Sequence, residues 1–371
     1  MKNILLIDGS NSNFGGVQRH ISDLVKHDFF SKVRFTIARS QTGDCVRNYQ
    51  SQNTEIKILH EKLNSLGAIK LLFKLCKENN FSAIHSHGAF AGLAGFILQI
   101  AFRIRHIHTI HGNPWEDQLK FKTLSYKTYL STSIKNIAYK IALSFSKNIS
   151  VSKIDMIEIK KTLIGKITDV DYIHNGISDI GSLSIERTPF TDNINLLAVC
   201  NLSPQKNISS LIDAMAILNE SQSSFYLKIL GDGPLKEELQ QRILENHLSD
   251  YISLEGFVSD KKKYYEWADI IVMPSSWEGL PYSIIECLKE SLFIVSTPAN
   301  GLPELVINEK TGLLTSGFTS TDIAERILYA SKLPFEKVKN IQNNAKEHFH
   351  KNFTLDKMAR KTLGFYNAHI R

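Results

Sequence analysis

The sequence predicts an α/β protein built from two doubly wound domains in tandem. Short apolar runs alternate with longer segments of helical periodicity along the whole chain, which is typical of βαβ units with parallel strands. The 371 residues are enough for two domains of about 100–200 residues each. A composition of 43% hydrophobic and 22% charged residues is near the average for globular proteins, which excludes a wholly disordered, collagen-like or coiled-coil chain.

Short apolar runs mark the strands of each predicted domain. The first series comprises residues 4–7, 33–38, 55–59, 83–85, 106–109, 148–151 and 171–173. The second series comprises residues 195–199, 226–230, 252–255, 270–273 and 293–296. Helical patterns between the later strands cover residues 208–219, 235–245 and 281–289. Because residues 175–193 are rich in Gly, Ser, Asp and Thr, we place the join there and predict domains 1–180 and 181–350. The segment 351–371 is predicted to return as a helix to the first domain.

Charge is distributed unevenly between the two predicted domains. Residues 1–180 hold 24 Lys and Arg against 14 Asp and Glu, whereas the remainder holds 20 against 23. The overall formal charge is only +7. A basic first half indicates a polyanionic neighbour, either a membrane, a phosphate-bearing substrate or nucleic acid.

Cysteine spacing and hydropathy indicate the compartment. The cysteines stand far apart, at Cys45, Cys76, Cys200 and Cys287, which favours reduced, packed thiols over disulfides or metal ligation. Residues 1–8 lack the long apolar core and cleavage site of a signal peptide. The longest apolar stretch, residues 89–102, is too short to span a bilayer. We therefore expect a cytoplasmic protein.

The strongest motif lies in residues 273–286, MPSSWEGLPYSIIE. An apolar strand ends, a polar loop turns, and a helix begins near Pro281, where proline loses only a donor that has no intrahelical partner. The first N–H groups of that helix then face a position that favours phosphate. Glu278 and Glu286 suit hydroxyls at opposite ends of an elongated ligand, a sugar at one end and a ribose at the other. The alternative is a helix-start acid that interacts with the dipole, together with a solvated Glu286.

This segment resembles the E-x7-E signature of retaining glycosyltransferases of family 4, which have the GT-B fold of two Rossmann-like domains facing a central cleft. Further landmarks of that family are matched in order by residues 15–20, 85–88, 108–112, 149–152, 173–177, 231–235, 254–257, 268–270, 301–305 and 311–314. Their order and spacing make the resemblance specific over nearly the whole chain. It implies transfer of a hexosyl unit from a nucleotide diphosphate sugar, most often a UDP- or GDP-sugar, to an acceptor hydroxyl.

The resemblance also implies a role for each matching residue. Glu278 would contact the donor-sugar hydroxyls, His111 would lie near the donor sugar and the reacting centre, and Glu286 would hold the ribose. Lys206, which without the family would be interpreted as a solvated surface lysine, would clamp the diphosphate. Gly16 would let the backbone approach the phosphate or the acceptor. The remaining donor-binding positions are Asn201, Gly279, Leu280, Pro281, Tyr282 and Ser283.

One residue departs from the family pattern. The family often has Gly-Arg before Leu-Ser-Pro, and here Asn201 stands in place of the arginine. Asparagine can donate a hydrogen bond but brings no charge, so stabilisation of the leaving diphosphate should weaken. Either Lys206 and the helix-start amides suffice, or another cation reaches the site. Asn201 therefore favours one alternative to a transferase, a degenerate, non-catalytic nucleotide-sugar-binding module. A GT-B nucleotide-sugar epimerase, which would need no acceptor, is a separate alternative.

Histidines and glycines raise the question of cofactors. The histidines in question are His85, His87, His106, His108 and His111. No acid lies among them, and neither H-E-x-x-H nor a cysteine partner accompanies them, so a metal site is disfavoured. His111 is better placed for sugar contact, and the others are expected to be packed or to line the cleft. No complete G-x-G-x-x-G occurs, which disfavours NAD. We predict no cofactor and no metal, with the nucleotide diphosphate sugar as substrate.

Residues 118–147 form a basic segment without acids. Its lysines are Lys120, Lys122, Lys127, Lys135, Lys140 and Lys147, interleaved with aromatic residues. Such a surface attracts anionic lipid headgroups, although an ordinary helix with a solvated lysine face has the same pattern. No RNA-binding signature accompanies it, so nucleic acid is not a predicted partner. The resemblance implies a glycan or lipid-linked acceptor in bacterial surface polysaccharide assembly (capsule, O-antigen or lipopolysaccharide), with the protein peripheral on the inner face of the cytoplasmic membrane.

Overall fold

The chain divides into two compact units. The computed structural model describes residues 2–10, 15–40, 49–59, 65–113, 115, 126–162, 169–181, 183, 189–221 and 223–370, without the side chains of 126–134 and 169. Unit 1 comprises Met1–Gly176 with Leu355–Arg371, and unit 2 comprises Ile177–Thr354. The boundary between Gly176 and Ile177 lies within residues 175–193, where the sequence is rich in turn-forming residues.

Unit 1 is organised around a parallel sheet. Among its described residues, seven strands pair in the order β3-β2-β1-β4-β5-β6-β7. The strands are β1 Lys2–Asp8, β2 Val33–Arg39, β3 Thr54–Ile58, β4 Ala83–His87, β5 Arg105–Ile110, β6 Lys147–Ser150 and β7 Asp169–Tyr172. The helices are α1 Gly16–Lys26, α2 Leu66–Glu78, α3 Ala89–Phe102, α4 Tyr126–Ser144 and α5 Lys153–Thr162. A single 3-10 turn, Asp28–Phe30, follows α1.

Both faces of the unit 1 sheet are buried. Ile4 and Leu6 of β1 pack into one apolar cluster, whereas Leu5 and Ile7 pack into another with Leu72 of α2. Because successive side chains of a strand point to opposite faces, a strand covered on both sides is apolar throughout. This is why the strands were recognisable as continuous apolar runs.

The last helix completes unit 1. Helix α13, Leu355–His369, brings Met358, Phe365 and Tyr366 into the same cluster as Ile4 and Leu6. The predicted return of the chain end to the first domain is confirmed.

Unit 2 repeats the topology with a different sequence. Its described part holds six parallel strands in the order β10-β9-β8-β11-β12-β13. The strands are β8 Asn193–Val199, β9 Ser224–Leu230, β10 Ile252–Gly256, β11 Ile270–Met273, β12 Ile294–Ser296 and β13 Leu313–Leu314. The helices are α6 Ile208–Asn219, α7 Lys236–Glu245, α8 Lys262–Trp267, α9 Tyr282–Lys289, α10 Leu302–Leu305, α11 Ser320–Ser331 and α12 Phe335–Asn352. One large apolar cluster joins β8, β9 and β11 to α6, α7 and α11.

Each unit has the strand order of a Rossmann fold. Successive strands are added towards one edge of the sheet up to β3 and towards the other edge from β4 in unit 1. In unit 2 the same reversal separates β10 from β11, so the switch points lie between β1 and β4 and between β8 and β11. In open α/β sheets, ligands bind beyond the carboxyl ends of the strands at such a switch point. The predicted fold class is confirmed, and the sheets direct attention to the loops that follow β4, β5, β8 and β11.

Candidate active site

Lys206 follows strand β8 of unit 2. After β8 the chain runs through Leu202, whose N–H donates to Asp232 O, into a 3-10 turn at Pro204–Lys206. Ser276 N donates to Gln205 O over 2.8 Å, which ties the loop after β8 to the loop after β11. The two loops at the switch point are therefore held together by backbone contacts, and Lys206 is positioned by them.

The Lys206 ammonium binds the Glu278 carboxylate. Lys206 Nζ donates to Glu278 Oε1, and Ser275 Oγ donates to the same oxygen over 2.8 Å. Gln205 Nε2 lies 3.5 Å from Glu278 Oε2. The side chains of Lys206 and Glu278 are only 13% and 6% exposed. A carboxylate this buried needs a cation and hydrogen-bond donors, and this cluster supplies both. The structure thus brings together two of the three predicted catalytic residues.

Helix α9 begins one residue later than predicted. Pro281 is the cap, with φ −69° and an extended ψ of 130°, and Tyr282 is the first helical residue. The proline ring fixes φ, and its carbonyl accepts the first intrahelical bond, from Ile285 N. The backbone N–H groups of Tyr282 and Ser283 lie in the first turn, where an α-helix favours an anion.

Glu286 lies in the second turn of α9 and is held by two donors. Lys261 Nζ and Tyr265 Oη both donate to its Oε2, the latter over 2.9 Å. Its side chain is 15% exposed, so it is not a solvated surface carboxylate. Each acid of the E-x7-E pair is therefore matched by one lysine. Lys261 and Tyr265 were not identified from the sequence, because nothing in their spacing links them to Glu286.

The other predicted donor-binding positions of unit 2 surround this loop. Gly279 and Leu280 are buried between Glu278 and the helix start. Asn201 is exposed at the end of β8, with Ser203 Oγ as a partner over 3.4 Å. Gly231 has φ +144°, and a Cβ there would lie 1.7 Å from Cys200 O. Only glycine permits this approach of two backbones beside Asn201, which accounts for the Gly-Asp-Gly turn without a cofactor.

In unit 1, His111 lies among other histidines just beyond strand β5. His87 Nδ1, at the end of β4, stands 3.0 Å from His111 Nε2. His20 of α1 packs edge-on against His111, with ring centroids 4.9 Å apart, and its Nδ1 is 3.0 Å from Asn175 Oδ1. Burial lowers the pKa of His20 to about 4 and holds the pKa of His111 and His87 well below the usual value. The cluster is therefore uncharged at neutral pH. Gly16, also predicted, is exposed as the first residue of α1.

The remaining histidines are packed in hydrogen-bond chains. Ser86 Oγ lies 2.7 Å from both His106 Nε2 and His108 Nδ1, and His108 Nε2 lies 2.7 Å from Tyr139 Oη. His85 contacts Tyr366 Oη and Thr109 Oγ1 on the other face of the sheet. In the described ranges, no group of three or more His, Cys, Asp or Glu side chains is arranged to hold a metal ion.

The basic segment falls partly outside the described residues. Lys120 and Lys122 lie there, as does Cys45, and the Lys127 side chain is also not described. Of the remaining lysines, Lys135 is exposed on α4, and Lys140 Nζ lies 5.2 Å from the centroid of the Trp115 ring. Among the helices that the structure describes, none has the length and apolar composition to cross a membrane.

Two family models match the chain and together cover most of it. The model described as Glycosyltransferase Family 4 matches residues 14–179, and the model described as Glycosyl transferases group 1 matches residues 184–348. These spans correspond to the two Rossmann-like units. Along both halves the chain is therefore similar to glycosyltransferases of the family 4 type.

Individual proteins agree with this assignment. The chain is 28% identical over 353 residues to an uncharacterized glycosyltransferase, MJ1178 of Methanocaldococcus jannaschii, covering 92% of each chain. It is 27% identical over 319 residues to a UDP-Gal:alpha-D-GlcNAc-diphosphoundecaprenol alpha-1,3-galactosyltransferase of Escherichia coli, covering 82% of this chain and 80% of that one. Its fold matches Anabaena HepE in complex with UDP-glucose, with a TM-score of 0.80, 19% identity, and 99% and 100% of the two chains covered. The GT-B fold is confirmed.

Proposed function

We propose that this chain transfers a hexosyl unit from a UDP- or GDP-sugar to an acceptor hydroxyl with retention of the anomeric configuration. In that reaction the bond between C1 of the sugar and the phosphate oxygen breaks, and a bond between C1 and the acceptor oxygen forms on the same face. The acceptor proton passes to the leaving phosphate oxygen. No metal or cofactor is required in this scheme.

The observation that carries the proposal is the buried pairing of Lys206 with Glu278 beside the start of α9. The ammonium and the N–H groups of Tyr282 and Ser283 supply positive potential for the departing diphosphate. The carboxylate supplies an acceptor for sugar hydroxyls, and Glu286 does the same for ribose hydroxyls further along the helix. Without a donor, the ammonium and the carboxylate satisfy each other, so donor binding exchanges one set of charge-assisted bonds for another.

The names of two relatives support a proposal for the acceptor class. The Escherichia coli relative acts on a diphosphoundecaprenol-linked sugar, as its name states. A second relative is a putative colanic acid biosynthesis glycosyltransferase, 26% identical over 183 residues. We therefore propose a glycan or lipid-linked glycan acceptor in bacterial surface polysaccharide assembly, with the enzyme in the cytoplasm and peripheral to its membrane.

The donor and the stereochemistry can be tested in one experiment. A panel of UDP-, GDP- and ADP-sugars should raise the melting temperature for the correct donor only, because a ligand at 100 times its Kd stabilises the folded state by about 2.7 kcal/mol. That donor and an acceptor should then react in the presence of EDTA, as measured by nucleotide release. The glycoside formed should have the anomeric configuration of the donor. Stabilisation without release would indicate the binding module, conversion of donor alone would indicate the epimerase, and release that requires a divalent metal would contradict the metal-free scheme.

A mixed apolar and basic face on unit 1 supports membrane association. Ile137, Ile141 and Phe145 recur every four residues along and just beyond α4 and are 55%, 38% and 61% exposed. Phe96 of α3 stacks on Phe145, and Lys140, three residues after Ile137, lies on the same side of the helix. Exposed apolar side chains beside a lysine match the boundary of an anionic bilayer, where each basic residue contributes about 1 kcal/mol.

Vesicle binding tests this face. The protein should co-sediment with vesicles of phosphatidylcholine and phosphatidylglycerol but not with phosphatidylcholine alone, and added salt should weaken the association. Replacing Ile137 and Ile141 by Ser should lower the partition coefficient on the order of ten-fold or more. Ile217→Ser, at a 36% exposed site of unit 2, is the matched control. Equal binding by both variants would remove the proposed role of the face.

A further inference from the structure

We propose that His87 is a positioning residue that holds His111 in the tautomer with its proton on Nδ1. His111 then offers the donor sugar an N–H group at Nδ1. The inference rests on the proposed function for the role of His111, but the tautomer itself is a property of the donor-free protein. His87, which the sequence suggested was only packed or cleft-lining, thereby has a role in positioning His111.

The two rings are placed to share one proton. His87 Nδ1 and His111 Nε2 are 3.0 Å apart, which is a hydrogen-bond distance. His87 is fully buried and is fixed by the His85 ring, whose centroid lies 4.3 Å away. His85 is itself anchored at both nitrogens, by Tyr366 and Thr109. The orientation of His87 is therefore set by the sheet and the last helix, not by the loop that carries His111.

Both rings are neutral, so one of them must donate and the other accept. Burial, together with neighbouring histidines, lowers the pKa of His87 and of His111 well below the usual value. A neutral imidazole carries a single proton on one of its two nitrogens. Fixing the proton between the rings consequently fixes the tautomer of each.

The environment of the other nitrogen of His87 decides the direction. His87 Nε2 is buried and has no hydrogen-bond partner among the described residues. If His111 donated, His87 would have to carry its proton on Nε2 and bury an N–H without an acceptor. Orphaned buried N–H groups are rarer than under-satisfied acceptors. The favoured arrangement has His87 donating from Nδ1 to His111 Nε2, which leaves the His111 proton on Nδ1.

The third histidine of the cluster is set separately. Asn175 Oδ1 accepts a hydrogen bond from His20 Nδ1, so the His20 proton lies on Nδ1. His20 contacts His87 and His111 through ring packing, with centroids 5.4 and 4.9 Å away. His20 is hydrogen-bonded to Asn175 through Nδ1 and contacts the other two rings by packing. The tautomer of His111 is therefore set by its hydrogen bond with His87.

Nitrogen chemical shifts of the donor-free protein test the tautomer directly. In protein with ¹⁵N-labelled histidine, His111 should show a protonated Nδ1 and a bare Nε2, and its signals are assigned by their loss in His111→Gln. In His87→Leu the donor is gone and the His111 signals should move to the other tautomer or to a mixture. His87→Asn keeps an N–H near the position of Nδ1 and should restore the wild-type pattern. His106→Asn removes a buried imidazole on the other face of the sheet and should leave His111 unchanged.

Kinetics separate positioning from packing. We expect His87→Leu to lower kcat about ten-fold with a much smaller change in KM, and His87→Asn to recover most of the loss. His106→Asn should keep the wild-type kcat. A wild-type His111 that is protonated on Nε2, or equal losses in His87→Leu and His87→Asn, would overturn the inference. Failure of every donor to bind would instead count against the proposed function, because the tautomer measurement needs no donor.

Discussion

Replacing Lys206 by alanine is expected to lower kcat by about 10²–10³, because the leaving diphosphate loses the cation that the structure pairs with Glu278. Asn201, where the family often has arginine, cannot compensate for it. Glu278→Gln should also reduce turnover strongly, since an amide accepts sugar hydroxyls less well than a carboxylate. Initial rates of nucleotide release measure both effects. Lys236→Ala is the matched control, because Lys236 is an exposed lysine paired with Asp232 near the same end of the sheet.

Lys206→Ala should also destabilise the protein, and a second substitution at Glu278 should reverse much of that loss of stability. Lys206→Ala leaves a 6% exposed carboxylate without its cation, and breaking a buried pair in this way costs about 3–5 kcal/mol. The double variant Lys206→Met with Glu278→Gln removes both charges and should recover much of that loss, but none of the turnover. Melting temperatures and rates of the two singles and the double give the coupling between the residues. Wild-type turnover in either single variant would remove that residue from the proposed mechanism.

The strands were predictable because parallel sheets covered on both faces leave a continuous apolar signal. Ile4 to Ile7 enter two cores on opposite faces of unit 1, so no polar residue interrupts the run. Strand β13, Leu313–Leu314, was not predicted as a strand, because two residues carry no periodicity. The return of α13 to unit 1 could be predicted from its position after the second strand series.

The partners of the candidate site residues were not predictable from spacing. Lys206 and Glu278 are 72 residues apart, and Lys261 and Glu286 are 25 apart. Such pairs exist because the fold of unit 2 places separate loops and helices side by side. The spacing of residues in a single sequence does not reveal which of them become neighbours. The motif that could be found, E-x7-E, is local, because both acids belong to one loop and the helix that follows it. The roles assigned to these residues stay predictions.

For the histidines, too, the sequence predicted which residues share a face of the sheet but not which residues they contact. Alternation along β5 predicted that His106 and His108 share a face. It did not predict that Ser86 bonds to both rings, or that α3 packs so closely that a Cβ at Gly95 would lie 2.3 Å from His106 Nε2. This close approach of a glycine shields His106 from solvent, and His108 is buried as well. Their uncharged state is therefore a consequence of tertiary structure.

Acidification from pH 7 to pH 5 is expected to destabilise unit 1 much more than unit 2. Burial lowers the pKa of His108 to about 3 and of His20 to about 4, against about 6.5 in an unfolded chain. Between these values the unfolded state binds more protons than the folded state, so stability present above pH 6.5 is lost as the pH falls towards 4 and 3. The two residues together account for about 4 kcal/mol between pH 7 and pH 5. The other histidines with a lowered pKa act in the same direction: His85, His87, His106 and His111.

Hydrogen exchange resolved by segment measures this difference within one molecule. After correction for intrinsic rates, protection of β4 and β5 should fall at pH 5, whereas protection of β8 and β11, which carry no histidine, should persist. His108→Gln tests the cause, because the amide keeps hydrogen-bonding capacity near Tyr139 but does not titrate. Its unit 1 should be less stable at pH 7 yet depend less steeply on pH. Among the described residues, the histidines with a lowered pKa all belong to unit 1. An equal loss of hydrogen-exchange protection in both units would therefore assign the acid sensitivity to carboxylates, which occur throughout the chain.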